Sequence, residues 1–488
     1  MDLLAGRRSF RLTVIDCAVL VIYSALVLVT AAHHKAWADE AQSWLLARNL
    51  PLTSLFGKYL HKEGSPGLWH LLLWFLARAH VTYKAMHYWA AATAIAGIWV
   101  FLSRSPFPQV VRAVLPFTFW LMYQYAIIAR SYVAVPLFVF LAASLLVQPK
   151  KHPFALAIAL GLMANLCSQA FALSVGFAIV AWLRIRRGNS DSAASHPPAR
   201  FGAPAAVLAA FWAAAIATAF PVKDNAYLPS SQLLTGFSKW FAILVTTTSG
   251  ISQIWPASIA ILGVMIAYLI ASRQWKNLAP YILLQLVFVE LVCRAWHFGL
   301  GLVALLGILW ISWPDASHPR SRRWAWVLTF ALLAVAAIQI PWSVRAIRTD
   351  LQGSYSGDQQ AAAFLAQHIE GKRAAGFQFW SIGVVPYFSS NPFFNQHKEG
   401  FWSWSTSSHV DDRVDQTMLS APDYVVIGAA LRTDANTGAI LVPSQPPIEA
   451  HILSTTHYRE THRFCGSAFS GAGYTELECQ LILEPDGK

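Results

Sequence analysis

Residues 7–40 read RRSFRLTVIDCAVLVIYSALVLVTAAHHKAWADE, and they decide the fold. An apolar run at 12–32 follows three arginines and precedes a polar loop with the acid pair Asp39-Glu40. A run of about 20 apolar residues is long enough to cross a bilayer as a helix. Because basic residues favour the cytoplasmic side, the arginines place the N-terminus inside and the loop 33–66 outside. No small-residue cleavage site follows the run, so we expect an anchor that stays in place.

The composition of the whole chain is that of a membrane protein. Of 488 residues, 56% are hydrophobic and 12% are charged, and the mean hydropathy is +0.45. A soluble domain carries roughly 25% charged residues. This excludes a cytosolic enzyme and a disordered chain, and it predicts an α-helical polytopic membrane protein with about ten to thirteen membrane helices within residues 1–342. The apolar runs lie at about 12–32, 67–80, 85–103, 113–129, 131–147, 153–183, 203–221, 253–272, 278–294, 297–313 and 324–342.

The charge divides the chain into two parts. Residues 1–342 contain 26 Lys/Arg and 9 Asp/Glu, whereas residues 343–488 contain 10 Lys/Arg and 15 Asp/Glu. The basic excess lies in short loops between apolar runs, as the positive-inside rule requires. The net charge of +12 therefore gives no support to nucleic-acid binding. The distribution of the basic residues indicates the lipid bilayer as the partner. By the same rule, we expect the chain after residue 342 to lie outside the cytoplasm.

Two apolar runs have lengths that do not fit one span. The run 153–183 is too long, and we predict two short helices joined by a hairpin at 165–169. The run 67–80 suits a short or re-entrant helix.

Residues 343–488 read as one soluble, extracytoplasmic α/β domain. A helix is predicted at 356–369, and strands are predicted at 374–379 and 423–427. Cys465 and Cys479 are the cysteines of this part. In an oxidising exterior they either pair or stay free, and the sequence does not decide. We expect the domain to cover the active site or to select the acceptor.

The loop 33–66 carries unusual chemistry for a membrane protein. It contains Asp39, Glu40 and Glu63, three of the nine acids in the first 342 residues. The pair at 39–40 begins an amphipathic segment that suits an interfacial helix, where a helix dipole favours acids. Acids this close to a membrane also mark functional sites. His34 and its neighbours lack the H-x-x-x-H spacing of a zinc site, so we interpret them as interface histidines.

Four short motifs occur in a fixed order along the chain. Together they resemble the GT-C glycosyltransferases, a group that includes protein O-mannosyltransferases and lipid A aminoarabinose transferases. Ser65, Gly67 and Ile128 depart from the family pattern, and Ile128 replaces a second acid. The motifs are Asp39-Glu40, EGSPGLW at 63–69, ARSY at 129–132 and RAWHFG at 294–299.

The resemblance implies an integral glycosyltransferase of the bacterial inner membrane. Such an enzyme moves a sugar from a polyprenyl-phosphate carrier to an acceptor outside the cytoplasm. A carboxylate then takes the proton of the acceptor hydroxyl as it attacks the anomeric carbon. We predict Asp39 as this base, Glu40 as the group that orients the acceptor or a metal, and Glu63 as an assisting acid.

The leaving phosphate needs cations at the outer interface, where arginine binds it with forked hydrogen bonds. We predict Arg130, Arg294 and His297 for this role. Tyr132, Gln169 and Trp296 are predicted to line the donor or acceptor pocket. We expect no obligatory cofactor, because arginines can neutralise the phosphate, and the remaining option is a divalent metal held by Asp39 and Glu40.

Two alternatives stay open. One is a transporter or lipid flippase, a class that usually shows internal repeats with broken helices at corresponding positions. We find no such repeat. The other is a catalytically inactive relative with a scaffold role, because Ile128 stands where a second acid is expected.

Overall fold

The computed structural model describes residues 12–190, 199–220, 237–252, 254–290, 295–315, 317–404, 410–434, 447–469 and 474–487. The α-helices are α1 (Val14–His33), α2 (Ala38–Asn49), α3 (Leu52–Ser54), α4 (Leu60–Glu63), α5 (Leu68–Arg78), α6 (Ala85–Arg104), α7 (Gln109–Val114), α8 (Val135–Leu146), α9 (Pro153–Ala164), α10 (Ser168–Ser190), α11 (Ala199–Ala219), α12 (Phe237–Thr248), α13 (Trp255–Ala271), α14 (Ala279–Glu290), α15 (Gly299–Ser312), α16 (Pro319–Gln352), α17 (Asp358–His368), α18 (Val414–Met418) and α19 (Pro447–Thr455). The strands are β1 (Ala374–Phe377), β2 (Tyr424–Asp434), β3 (Tyr458–Cys465), β4 (Ala468–Phe469) and β5 (Tyr474–Pro485).

Six helical segments within the described residues are long and apolar enough to cross a membrane. Two further segments, Phe241–Ile251 and Trp255–Ala271, meet at 83° and make a seventh if they are one broken span. The chain is therefore a multi-pass helical membrane protein, as predicted. The predicted number of ten to thirteen membrane helices is larger because it was a count of apolar runs. Several of these runs fold as shorter helices, such as α5 and α9. The six are Val14–His33, Ala85–Arg104, Ser168–Arg186, Phe201–Ala219, Ala295–Ser312 and Pro319–Gln352.

The apolar run 113–129 is not a regular span. Helix α7 ends at Val114, and a 3-10 turn that contains Pro116 follows it. A proline removes one backbone N–H and interrupts the helical ladder. A π-turn at Trp120–Gln124 comes next, and regular α-helix resumes only at α8. The side chains of this irregular stretch are buried almost throughout, which shields its unpaired backbone from lipid.

The break within 153–183 and the short helix within 67–80 are confirmed, but α10 is a long helix and not the short one that was predicted. The run 153–183 forms α9 and α10, with the break at residues 165–167. Helix α5 has 11 residues and is too short for a regular span. The hairpin tip contacts the start of α5, since the Leu68 N–H donates to the Asn165 carbonyl at 3.0 Å. One apolar helix was missed: α12 lies between the predicted apolar runs 203–221 and 253–272.

The C-terminal part is an α/β domain around one sheet, as predicted. The strand order is β1-β2-β5-β3, and β4 also pairs with β5. Strands β1 and β2 are parallel, and the other pairs are antiparallel. Cys465 and Cys479 face each other in the β3–β5 register and form a disulfide, which decides the alternative left open by the sequence. Helix α16 continues past the predicted boundary at 342 and ends at Gln352, just before Gly353.

Helix α2 lies between the two parts and is not exposed at an interface. Ala41 and Leu45 pack in one core with residues of the C-terminal domain such as Val385. On its other face, Trp44 packs in a second core with Trp69 of α5. The interpretation of α2 as an interfacial helix is therefore wrong, because the C-terminal domain covers the face that was expected to be solvated.

Candidate active site

Helix α2 carries both acids of the first loop in its first turn. The Ala38 N–H donates to Glu478 Oε1 at 3.0 Å, and the Trp37 N–H donates to Glu40 Oε2 at 3.2 Å. These bonds satisfy N–H groups that a helix start leaves without partners. Consecutive helical residues are rotated by about 100° around the axis. The carboxylates of Asp39 and Glu40 therefore leave the helix in different directions.

Asp39 points towards Arg130, which lies where the helical backbone is broken. Arg130 Nη1 is 3.4 Å from Asp39 Oδ2 and also donates to the Asp39 carbonyl oxygen. The Asp39 side chain is 19% exposed and the Arg130 side chain 25%, so an incoming molecule can reach the pair. Ion pairs with solvent access contribute about 0–1 kcal/mol to stability. The carboxylate can therefore give up the guanidinium to another anion at little cost.

Glu63, the last residue of α4, is the second acid of this site. Gln42 Nε2 donates to Glu63 Oε1 at 2.7 Å. Burial raises the pKa of Glu63 to about 7, although the Gln42 hydrogen bond and the Arg130 charge both oppose the rise. The charge of Asp39 adds to it, so these groups are electrostatically coupled. A carboxyl group that titrates near neutral pH is suited to proton exchange.

Glu40 belongs to a different, fully buried network. Its Oε2 is 3.2 Å from His34 Nε2, and its Oε1 is 3.1 Å from His87 Nε2. The helix is interrupted at Ala129, so its N–H is available outside the helical ladder and donates to Glu40 Oε1 at 2.6 Å. Burial by itself would raise the pKa of Glu40, but the charges of His34 and His87 hold it below its usual range. Glu40 is thus engaged by partners within the protein, and its predicted role in orienting the acceptor or a metal stays a prediction.

The network continues to the end of α16. His34 Nδ1 lies 2.9 Å from Asp350 Oδ2, which also accepts a hydrogen bond from the Tyr123 hydroxyl at 3.0 Å. Burial would lower the pKa of His34, but the carboxylates of Asp350 and Glu40 raise it to about 10. His34 is therefore a protonated bridge between two acids. Its interpretation as an interface histidine is wrong, since its surface is 2% exposed.

The geometry gives no support to a metal shared by Asp39 and Glu40, because their carboxylates diverge. One group among the described residues has ligand atoms within 4.8 Å of one another, and it consists of His34, Glu40 and His87. Both Glu40 oxygens already accept hydrogen bonds there, and His34 is held by a second acid. Protons can therefore balance the charge of this cluster. Metal dependence stays a prediction.

The predicted pocket residues around Arg130 are partly brought together. The rings of Tyr132 and His297 lie 6.1 Å apart between centroids, and Trp296 lies 5.5 Å from Trp37, which precedes α2. The Trp296 carbonyl accepts a hydrogen bond from Tyr125 at 3.0 Å. The turn at Ala295–His297 thus packs against the same broken segment that carries Arg130.

Arg294 and Gln169 are the remaining predicted site residues. Arg294 lies outside the described residues, so its role towards phosphate stays a prediction. Gln169 is buried at the start of α10, where its Oε1 accepts a hydrogen bond from Ser168 Oγ at 3.3 Å. The hairpin tip that precedes it contacts the start of α5.

Sequence reasoning missed several residues of the site. Gln42 follows Asp39 by three positions, and this spacing places both on one face of α2. That signal was available. Asp350 and Glu478 reach the first loop across 316 and 440 residues, and no local spacing announces such a contact.

No protein-family model and no curated protein matches the chain. One solved structure that is similar to it is a mutant of the arabinofuranosyltransferase AftD from mycobacteria, determined by single-particle cryo-EM. The match has a TM-score of 0.37 and 15% sequence identity, and it covers 95% of this chain. The chain spans 41% of the length of that structure. The neighbour is thus a glycosyltransferase, but a likeness of this degree carries no argument about this chain.

Proposed function

We propose that the chain is a GT-C-type membrane glycosyltransferase that moves a sugar from a polyprenyl-phosphate carrier to an acceptor outside the cytoplasm. The observation that carries the proposal is the accessible pair of Asp39 and Arg130, with Glu63 beside it, at the end of the first membrane helix. Acids are scarce in residues 1–342, and these two remain accessible or titratable. The motif order that resembles GT-C enzymes supports the same assignment.

Arg130 is the group that we assign to the donor phosphate. Its planar guanidinium matches two phosphate oxygens, and a phosphate would compete with the Asp39 carboxylate oxygen at 3.4 Å and the Asp39 carbonyl oxygen. When Arg130 moves to the phosphate, Asp39 loses its counter-charge and becomes more basic. Donor binding therefore prepares the base. His297 and Tyr132 lie against the same segment and complete the pocket in this proposal.

The transfer step then needs one proton acceptor. The acceptor hydroxyl oxygen forms a bond to the anomeric carbon, the bond from that carbon to the phosphate oxygen breaks, and the hydroxyl proton passes to Asp39. The polyprenyl phosphate leaves with the bonding electron pair and stays paired with Arg130. Glu63, whose pKa is raised to about 7 by burial, can receive the proton from Asp39 or hold the acceptor.

The location of the site outside the cytoplasm rests on the positive-inside pattern of the loops. The Cys465–Cys479 disulfide supports an oxidising compartment for the C-terminal domain, which contacts α2 directly. Both observations favour a bacterial inner membrane protein with its sheet domain on the outer side.

A transfer assay tests the proposal. Purified protein in nanodiscs is given a panel of radiolabelled polyprenyl-phosphate sugars together with cell-envelope acceptors, and label transfer is measured. We expect transfer from one donor class, and we expect Asp39→Asn to lower its rate by about 10²–10⁴-fold, the usual contribution of a general base. The matched control is Asp415→Asn, because the Asp415 side chain is 83% exposed on the C-terminal domain.

The opposite results are equally clear. Asp39→Asn with wild-type transfer would remove the base from the proposal. Movement of intact lipid-linked sugar across a bilayer without any transfer would favour the flippase alternative. Donor binding without turnover would favour an inactive relative.

A further inference from the structure

An aromatic segment of the C-terminal domain lies beside the acids of the first loop. Residues 401–404 read FWSW, and the Trp404 ring lies 5.0 Å from the Phe379 ring at an interplanar angle of 36°. Trp402 closes the cluster, 6.3 Å from Phe379, and is 6% exposed. Phe379 and Trp404 remain partly exposed. The domain therefore presents aromatic surface next to the site, and the buried Trp402 side chain packs beneath it.

Gln42 fixes this segment to the acids. The Trp402 N–H donates to Gln42 Oε1 at 2.8 Å, and Gln42 Nε2 donates to the Trp402 carbonyl at 2.9 Å. The same Nε2 reaches Glu63 Oε1 at 2.7 Å, and the Trp404 side chain also hydrogen-bonds to Glu63. Gln42 is 2% exposed, so its position is set by packing. One buried amide thus holds the aromatic segment and an acid in register.

Aromatic surface next to carboxylates has a specific chemical use. A sugar ring has apolar C–H faces and a rim of hydroxyl groups. The negative face of an aromatic ring attracts polarised C–H groups, and carboxylates accept hydrogen bonds from hydroxyls. The aromatic rings and Glu63 themselves offer a phosphate no positive charge, and a lipid chain would leave the acids without partners. The combination matches a carbohydrate better than either.

We propose that Phe379 and Trp404 form a platform on which a sugar ring of the acceptor stacks, with its reactive hydroxyl directed to Glu63 and Asp39. This rests on the proposed glycosyl transfer and adds that the acceptor is itself a glycan and that the C-terminal domain selects it. The soluble domain then supplies the platform, and the membrane domain supplies the donor phosphate site at Arg130.

A binding experiment tests the platform without the donor. The full chain in nanodiscs is passed over immobilised cell-envelope oligosaccharides and over serine- and threonine-containing peptides. We expect the wild type to bind oligosaccharides and Trp404→Leu, which keeps an apolar side chain but removes the ring face, to bind them about tenfold more weakly. Trp404→Tyr should keep most of the binding. Phe394→Ala is the matched control, because Phe394 is a 41% exposed aromatic of the same domain that stacks on Arg373.

Each remaining outcome overturns the platform. These outcomes are equal oligosaccharide binding by Trp404→Leu and wild type, binding of peptides only, and no oligosaccharide binding by the wild type. A thermal unfolding curve for each variant verifies the fold, and Phe379→Leu provides a second variant if Trp404→Leu does not fold. Binding of decaprenyl phosphate to the same preparations separates the two proposals. Lost glycan binding with intact carrier binding assigns the platform, whereas a wild-type protein that binds glycans but transfers sugar from no donor removes the proposed function and leaves the glycan site standing.

Discussion

Asp39 and Glu40 are adjacent in sequence, yet they belong to regions with opposite properties. Asp39 shares a partly exposed ion pair with Arg130, and its partner is held at 3.4 Å. Glu40 is fully buried, with two histidines and a backbone N–H on its oxygens. Both regions combine carboxylates with cations. The difference is that both Glu40 oxygens already have hydrogen-bond partners inside the protein, whereas the partly exposed pair can exchange one partner for another, which makes the pair the better candidate for chemistry.

The largest expected effect on stability comes from a substitution in the buried network. Glu40→Ala leaves protonated His34 without one of its two acids inside the protein, and removal of one member of a buried pair costs about 3–5 kcal/mol. We expect a marked fall in the unfolding temperature of the purified protein in detergent. Asp415→Ala at an exposed position should change stability by less than about 0.5 kcal/mol. If Glu40→Ala unfolds like the wild type, the network does not hold the loop.

A second prediction concerns the pH dependence of Glu63. Its pKa in the folded protein, about 7, lies above the ordinary value of 4.5, so folding favours its protonated form. The contribution to stability is therefore greatest below about pH 4.5 and falls as pH rises through about 7. Transfer should follow the opposite course if the ionised form accepts the proton. Rates and unfolding temperatures between pH 5 and 8 measure both trends.

Glu63→Gln is the control for these trends. It keeps a hydrogen-bond acceptor for Gln42 but cannot titrate, so both pH trends should flatten. An unchanged pH profile in this variant would assign the titration to another group.

The smallest expected effect is on the exposed pair. Arg130→Ala should lower the free energy of unfolding by less than Glu40→Ala does, because its ion pair with Asp39 is partly accessible to solvent, whereas Glu40 is fully buried. It should nevertheless weaken binding of decaprenyl phosphate. Arg130→Lys keeps the charge but loses the planar fork, and we expect intermediate binding. A loss of stability as large as that of Glu40→Ala would make Arg130 a member of the structural network and end the comparison.

The sequence predicted those features that depend on local composition. The apolar runs gave the membrane class, and the length of 153–183 gave the α9–α10 hairpin. The rarity of acids directed attention to Asp39 and Glu63, which do lie together. The sequence could not separate Asp39 from Glu40, because their roles are set by what surrounds α2 on each face. His87, Asp350 and the C-terminal domain supply those surroundings from distant parts of the chain.

The helical breaks were also beyond local reasoning. The run 113–129 has the composition of a span, and Pro116 alone does not foretell three successive changes of backbone geometry. The interruption is stable because other helices bury it. The interruption makes the Ala129 N–H available to Glu40 and sets the position of Arg130.

The bond between Ala38 and Glu478 has a consequence for how the protein is made. Its two residues are 440 positions apart, and at synthesis rates of about 5–20 residues per second the first loop leaves the ribosome roughly 20–90 s before its cap exists. His34 likewise waits for Asp350. Asp39 and Glu40 can meet Arg130, His34 and His87 early, because these residues all precede residue 131. The bonds of His34 to Asp350 and of Ala38 to Glu478 can form only after those distant residues are made. A chain that stops before the sheet domain therefore lacks the Glu478 cap of α2 and the Gln42–Trp402 hydrogen bonds, although its Asp39–Arg130 pair can already form.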